Sequence, residues 1–272
     1  MTGRSKLIAA MGGSILLWSL SLGILIGTDR THPAGSSTSG RRPLMLYCAS
    51  SNRSVIEACC RQYRRQGGCE VIVQYGGSQT LMSSIEITNT GDLFLPADDS
   101  YLLQAVADGR VSDSFAIASM NIIAVVRRDN PKSIANLDDL SRLDVRLSQA
   151  NPDTAAVGRL TRDQLTSIGR WEELDRATDT YHTSVTEVAN DVVLGSADVG
   201  VIFDVMLNQY PDLQAVRIKQ LDGQAAKVSI GVLSSSDQPD HAIEFAEFLL
   251  STAGGQAIYR EFGFHSAEES RP

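Results

Sequence analysis

The sequence has no basic excess: 24 Lys and Arg stand against 32 Asp and Glu, for a net charge of -8 and a pI near 5.0. A nucleic-acid backbone demands a clustered cationic surface, so nucleic acid is not an expected partner. Neither G-x-x-x-x-G-K nor G-x-G-x-x-G occurs, which removes the common nucleotide and dinucleotide loops. The stretch "GGSQT" lacks the closing glycine of G-x-S-x-G, and no S-x-x-K is present, so a serine nucleophile would have no recognisable base. Histidine is scarce: His32, His182, His241 and His265 are scattered, and no two cysteines form a C-x-x-C pair. A structural metal site is therefore not expected, nor is any cofactor.

Cysteine is confined to one place. Cys48, Cys59, Cys60 and Cys69 all fall within the first strand-helix-strand unit. In an oxidising compartment a bridge from Cys59 or Cys60 to Cys69 is compatible with that placement. Buried thiols packing as small hydrophobes are equally so.

What is present begins with an apolar run, "LIAAMGGSILLWSLSLGILIG", preceded by Arg4 and Lys6. About 20 apolar residues span a bilayer, and the leading positive charges keep the start cytoplasmic while the rest is exported. No clean small-x-small cleavage site and no Cys for lipid attachment stand at its end, so an uncleaved anchor over residues 7–27 is preferred to a removed signal peptide. Residues 28–43, rich in Gly, Ser, Thr and Pro, read as a flexible linker. The folded body then starts at Leu44.

From there strands and helices alternate. "LMLYCA" is a short apolar run, and Val55, Ile56, Cys59 and Tyr63 recur at helical spacing until Gly67-Gly68 stops the helix. "CEVIVQY", "GDLFL" and "MNIIAVVR" are further strands. Between them lie helices opened by "GGSQTLMSSIEI" and by "SYLLQAVADG", the second with Ser100 as its expected N-cap. A second set follows Asn130-Pro131: strands "DVRLSQ", "ATDTYHT", "ADVGVIF", "LQAVRI" and "AKVSIGVL", with helices over 154–168 and 185–194. Two helices, 239–251 and 253–262, close the chain. This order predicts an α/β protein with mostly parallel sheets flanked by helices, in two lobes.

Open α/β sheets bind ligands beyond the carboxyl ends of their strands, near helix N-termini. Four such junctions are rich in small or hydroxyl residues: "CASSN", "YGGSQT", "ANPDTAAVG" and "HTSVT". They offer backbone N–H groups and hydroxyls without cations, the donor set suited to a desolvated oxyanion.

At these residues the chain resembles the periplasmic molybdate-binding proteins of ABC importers. "YCASSNRSVIEA" is similar to the family's first strand-helix unit and "YGGSQTL" to its second. "GDLFLPADD", "ADVGVIF" and "FAEFLLSTAGGQAIYREFGF" follow in the family's order. The resemblance implies a type II periplasmic binding protein fold, which the apolar run at 7–27 would precede as an N-terminal transmembrane helix. Lobe one would comprise residues 44–125 with 227–272, and lobe two 126–226. It also implies a monomer that captures a tetrahedral oxyanion, molybdate or tungstate, and delivers it to an ABC permease.

Carried over position by position, the family's ligand contacts fall on Ser51, Ser78, Val157, Val185 and Phe203. Val157 stands where the family usually has Ala, which a backbone N–H contact tolerates. Phe203 departs further, because the family's Tyr offers a hydroxyl there. Arg53 is the candidate to supply a compensating positive contact. Other readings are a membrane-tethered sensor of the same fold and a hydrolase using a serine with His182. Taken singly, Ser51 and Ser78 would be plain helix caps, and Asp98-Asp99 a capping pair.

Overall fold

The structure, a computed structural model, describes residues 42–267. The anchor at 7–27 and the linker up to residue 41 lie outside the described residues. Among the described residues no helix is long and apolar enough to cross a membrane.

The first lobe is built on β1 (Leu44–Ala49), α1 (Arg53–Arg65), β2 (Val71–Gly76), α2 (Ser78–Thr88), β3 (Leu93–Leu95) and α3 (Asp99–Ala107). The chain leaves it through β4 (Val111–Arg127). The second lobe holds α4 (Leu137–Leu140), β5 (Leu147–Ala150), α5 (Ala156–Ser167), α6 (Trp171–Ala177), β6 (Thr178–His182), α7 (Val185–Leu194), β7 (Val199–Phe203) and β8 (Leu213–Val216). The return is β9 (Ala225–Leu233), followed by α8 (Pro239–Leu250), α9 (Gly255–Glu261) and the short β10 (His265–Ser266).

Strand order is β2-β1-β3-β9-β4-β7-β5-β6, with β8 and β10 also on β4. Each lobe keeps a parallel trio: β1 between β2 and β3, and β5 between β6 and β7. Each central strand opposes the strands beside it: β9 pairs antiparallel with β3, β4 with β7 and β8, and β4 and β9 with each other. The sheets are thus mixed, not mostly parallel as expected. Antiparallel neighbours need no helical crossover, so the long β4 can pair with β9 in one lobe and with β7 and β8 in the other.

The passage between lobes occurs inside β4. Up to Asn121 it pairs with β9, and from Ile122 onward with β7. Asp204, just past β7, accepts hydrogen bonds from the Asn121 backbone N–H at 3.0 Å and from its Nδ2 at 3.0 Å. His265 Nε2 lies 2.9 Å from the same carboxylate. Asp204 therefore orients backbone at the crossing point.

Burial explains the elements. In α1, Val55, Ile56, Cys59 and Tyr63 form the inward face, a stripe of the width that core-facing helices need. Leu44, Leu46, Phe94, Val228 and Ile230 fill the first lobe; Leu147, Val192, Val199, Ile202 and Met206 fill the second. Gly195 closes α7 in the left-handed conformation at φ 75°, where a side chain would be strained.

One local expectation is corrected, and one open alternative is resolved. The N-cap of α3 is Asp98, whose carboxylate accepts from the Ser100 backbone N–H at 3.1 Å; a carboxylate set one residue ahead of the helix reaches that donor. All four cysteines are thiols, with Cys48, Cys59 and Cys69 buried, so no bridge joins Cys59 or Cys60 to Cys69. Cys59 sits on the core face of α1, and burial pushes the Cys60 thiol up to about 12, with Glu57 adding to the shift.

Candidate functional site

Helix entrances decide where the chain can hold a ligand. Two helices away from the junctions show what a side-chain cap looks like here: Asp98 serves α3, and Asn136 accepts from the backbone N–H of Asp138 and Asp139 at the start of α4. At α2 and α5 the N-cap positions are Gly77 and Ala155, which make no side-chain cap bond. A helix leaves its first N–H groups without intrahelical partners, so these two entrances present donors that their own side chains cannot satisfy.

Those entrances meet. A cavity of about 20 Å³ is lined from the first lobe by Ala49, Ser50, Ser51, Gly76, Gly77, Ser78 and Ala97. From the second lobe come Ala155, Ala156, Val157, Ser184, Val185 and Phe203. The N-terminal ends of α1 (through the turn Ser50–Asn52), α2, α5 and α7 all reach it. None of the lining residues carries a charge. Each helix end places about half a positive charge at its N-terminus, so the cavity is electropositive without a cation.

The four serines differ in what their hydroxyls can do. Ser50 donates to the Gly76 carbonyl at 3.2 Å, and Ser184 donates to the Glu187 carboxylate at 3.0 Å. Ser78 Oγ instead accepts from the Ala97 backbone N–H at 3.0 Å. Ser51 Oγ accepts from Asn52 Nδ2 at 3.4 Å. An oxygen that accepts keeps its own hydrogen to give, so Ser51 and Ser78 are the hydroxyl donors left to the cavity. Both are buried, at 3% and 1% exposure.

Five of the six residues singled out by the sequence, Ser51, Ser78, Val157, Val185 and Phe203, are brought together here. Arg53 is not among the lining residues. Its guanidinium stacks 3.9 Å from the centre of the Tyr75 ring and lies 3.7 Å from Glu57, half exposed. One helical turn places Glu57 on the same face as Arg53, and the nearby aromatic holds the cation outside the cavity.

His182 also turns elsewhere. Its Nε2 is 2.6 Å from Asp191 Oδ2, an oxygen that Ser148 Oγ also reaches at 2.9 Å. The imidazole is tied to a carboxylate on α7 and does not line the cavity with Ser51 or Ser78. The paired carboxylates Asp98 and Asp99 split: Asp98 caps α3 and pairs with Arg159 of the other lobe. Burial, and then the charge of Asp98, raises the pKa of Asp99.

Sequence reasoning did not single out Gly77, Ala155 or Arg159. A legible signal existed for the first two: each is an N-cap position occupied by a residue without a capping side chain, ahead of a well-formed helix.

The model of the bacterial extracellular solute-binding proteins matches residues 44–265. The molybdate-binding protein ModA of Mycobacterium tuberculosis is 28% identical over 239 residues, covering 85% of this chain and 87% of its own length. Among solved structures, the periplasmic molybdate-binding protein of Azotobacter vinelandii superposes with a TM-score of 0.69 at 17% identity, covering 81% of this chain and 98% of that one. The sulfate-binding protein SubI of Mycobacterium tuberculosis superposes at 0.68 with 17% identity, covering 84% and 90%. At such identities the superpositions establish the two-lobed fold, whereas the family match spans nearly all of the described chain. On that ground the chain belongs to the bacterial extracellular solute-binding proteins.

Proposed function

We propose that this protein captures a tetrahedral oxyanion, molybdate or tungstate, in the cavity between its lobes and delivers it to the permease of an ABC importer. The observation that carries this reading is the meeting of four helix N-terminal ends, two from each lobe, around a cavity with no charged lining residue. Ser51 and Ser78 donate hydroxyl hydrogens, and the first-turn N–H groups at Val157 and Val185 donate from the opposite side. With no carboxylate on the wall, the site favours an anion that carries no proton of its own.

The magnitudes are adequate. A hydrogen bond to a charged group contributes roughly 1.5–3 kcal/mol, and a helix N-terminus about 0.3–1 kcal/mol more. Five or six donors offset the ordering of the lobes and leave on the order of -8 kcal/mol, about micromolar affinity. One lobe alone supplies too few donors, so tight binding requires closure. The closing motion is a hinge between residues 44–125 with 227–272 and residues 126–226. The protein acts as an exported monomer, held at the outer face of the membrane by residues 7–27.

Calorimetric titration of the purified full chain with molybdate, tungstate, sulfate and phosphate tests this reading. One-to-one binding of molybdate or tungstate, tighter than sulfate or phosphate, is expected. A folded protein that binds none of the four refutes it.

A further inference from the structure

Beside the cavity, a guanidinium spans the two lobes. Arg159 stands in the first turn of α5, two residues after Val157, and its Nη2 contacts both Asp98 Oδ1 and Ser100 Oγ at the entrance of α3. The Ser100 contact is 2.6 Å. Asp98 is 4% exposed and at the same time caps α3. We propose that Arg159 is a positioning residue that latches the closed form and thereby sets how long a bound oxyanion stays. This rests on the reading of the cavity as an oxyanion site.

Three features support a latch in preference to a surface ion pair. First, the pair is largely withdrawn from water, with 24% of the Arg159 side chain and 6% of the Asp98 side chain exposed, so solvent screening is weak. Second, Arg159 keeps a partner within its own helix, Asp163, at 3.1 Å and one turn away. That partner moves with it, holds the guanidinium extended when the lobes part, and reduces the ordering needed to re-form the bridge. Third, the bridge adjoins other direct contacts between lobes: the Gln79 backbone N–H donates to the Thr154 carbonyl at 3.3 Å, beside Ser78 of the cavity wall.

The bonds to Asp98 and Ser100 exist only once the lobes have closed. Losing them therefore speeds release while leaving the initial encounter unchanged, the usual division for contacts formed after association.

Rapid-mixing kinetics of molybdate with the full-length protein test the proposal, comparing wild type with Arg159→Gln, Asp98→Asn and the double variant. Asn is a competent N-cap, so Asp98→Asn removes the charge of the latch and retains the cap. Each single variant is expected to release molybdate roughly tenfold faster. The association rate should change by less than about twofold, and the double variant should release no faster than either single one. Unchanged melting of the ligand-free variants verifies that they fold. A release rate at the wild-type value, with molybdate binding intact, overturns the latch. A salt-dependent fall in association rate with normal release assigns Arg159 to capture instead and also overturns it. Failure of the wild type to bind any oxyanion refutes the underlying reading, and the latch with it.

Discussion

Gly77 of the first lobe lies so close to Thr183 of the second that a Cβ on it would stand 2.4 Å from the Thr183 carbonyl oxygen and 3.1 Å from that of Thr154. Its backbone, at φ -71° and ψ 149°, is one that any residue adopts. The requirement for glycine therefore comes from the approach of the other lobe, not from the turn itself.

Gly77→Ala is accordingly expected to leave the ligand-free fold intact and to oppose closure. Overpacking of this kind costs about 1–3 kcal/mol, or roughly fivefold to somewhat over a hundredfold in affinity. Calorimetry with molybdate, set beside the melting temperature without ligand, separates the two effects. A variant that binds like wild type would show that closure does not bring these backbones together.

Ser51→Ala and Ser78→Ala should each weaken oxyanion binding by about 1–3 kcal/mol. The two differ in their effect on the empty protein. Ser78→Ala also leaves the buried Ala97 N–H without its acceptor, so it should lower the melting temperature, whereas Ser51→Ala should change it little. Ser50→Ala, whose hydrogen already goes to Gly76, is the control and should bind nearly as wild type does.

Phe203 ends β7 with its ring on the cavity wall, 1% exposed. Phe203→Tyr returns a hydroxyl donor to that wall and should tighten molybdate by roughly tenfold, the worth of one added charge-assisted hydrogen bond. Titration with molybdate and sulfate in parallel checks it; equal affinity before and after would mean that the new hydroxyl does not reach the anion.

The four cysteines should all alkylate after denaturation without any reductant, because they are thiols. In the folded protein at pH 8 they should react slowly. Burial raises the pKa values of Cys48 and Cys59 and pushes Cys60 up to about 12, and the thiolate is the reactive form. Mass spectrometry after alkylation, with and without denaturant, counts them.

Acid should weaken the second lobe through Asp198. Its carboxylate accepts from the Arg146 guanidinium at 2.8 and 3.1 Å and from the Arg146 backbone N–H at 3.0 Å, and these bonds hold its pKa below the usual carboxylate value. A depressed folded-state pKa contributes stability above the unfolded value, near 4, and that contribution is lost as pH falls through the folded value. Melting temperature should therefore drop on acidification below about pH 4, with a shallower drop in Asp198→Asn. A variant with the wild-type acid profile would remove this pair from the account.

The sequence by itself determined which local units form and where their donors stand. Spacing places Val55, Ile56, Cys59 and Tyr63 on one face of α1, and Gly195 ends α7, since both depend on residues within one or two turns. The junction serines and the family pattern likewise singled out five residues that now share one cavity. The first half of β4, "VSDSFAIAS", went unread because it opens on the polar, exposed run Ser112-Asp113-Ser114 and becomes a strand by pairing with β9. Tertiary structure alone decided the mixed strand directions, the turning of Arg53 onto Tyr75, the tie of His182 to Asp191, and the bridge from Arg159 to Asp98. Each depends on groups distant in the chain brought within a few ångströms. Period and propensity report a residue's near neighbours, whereas the direction of a long charged side chain follows the partner that folding places within its reach.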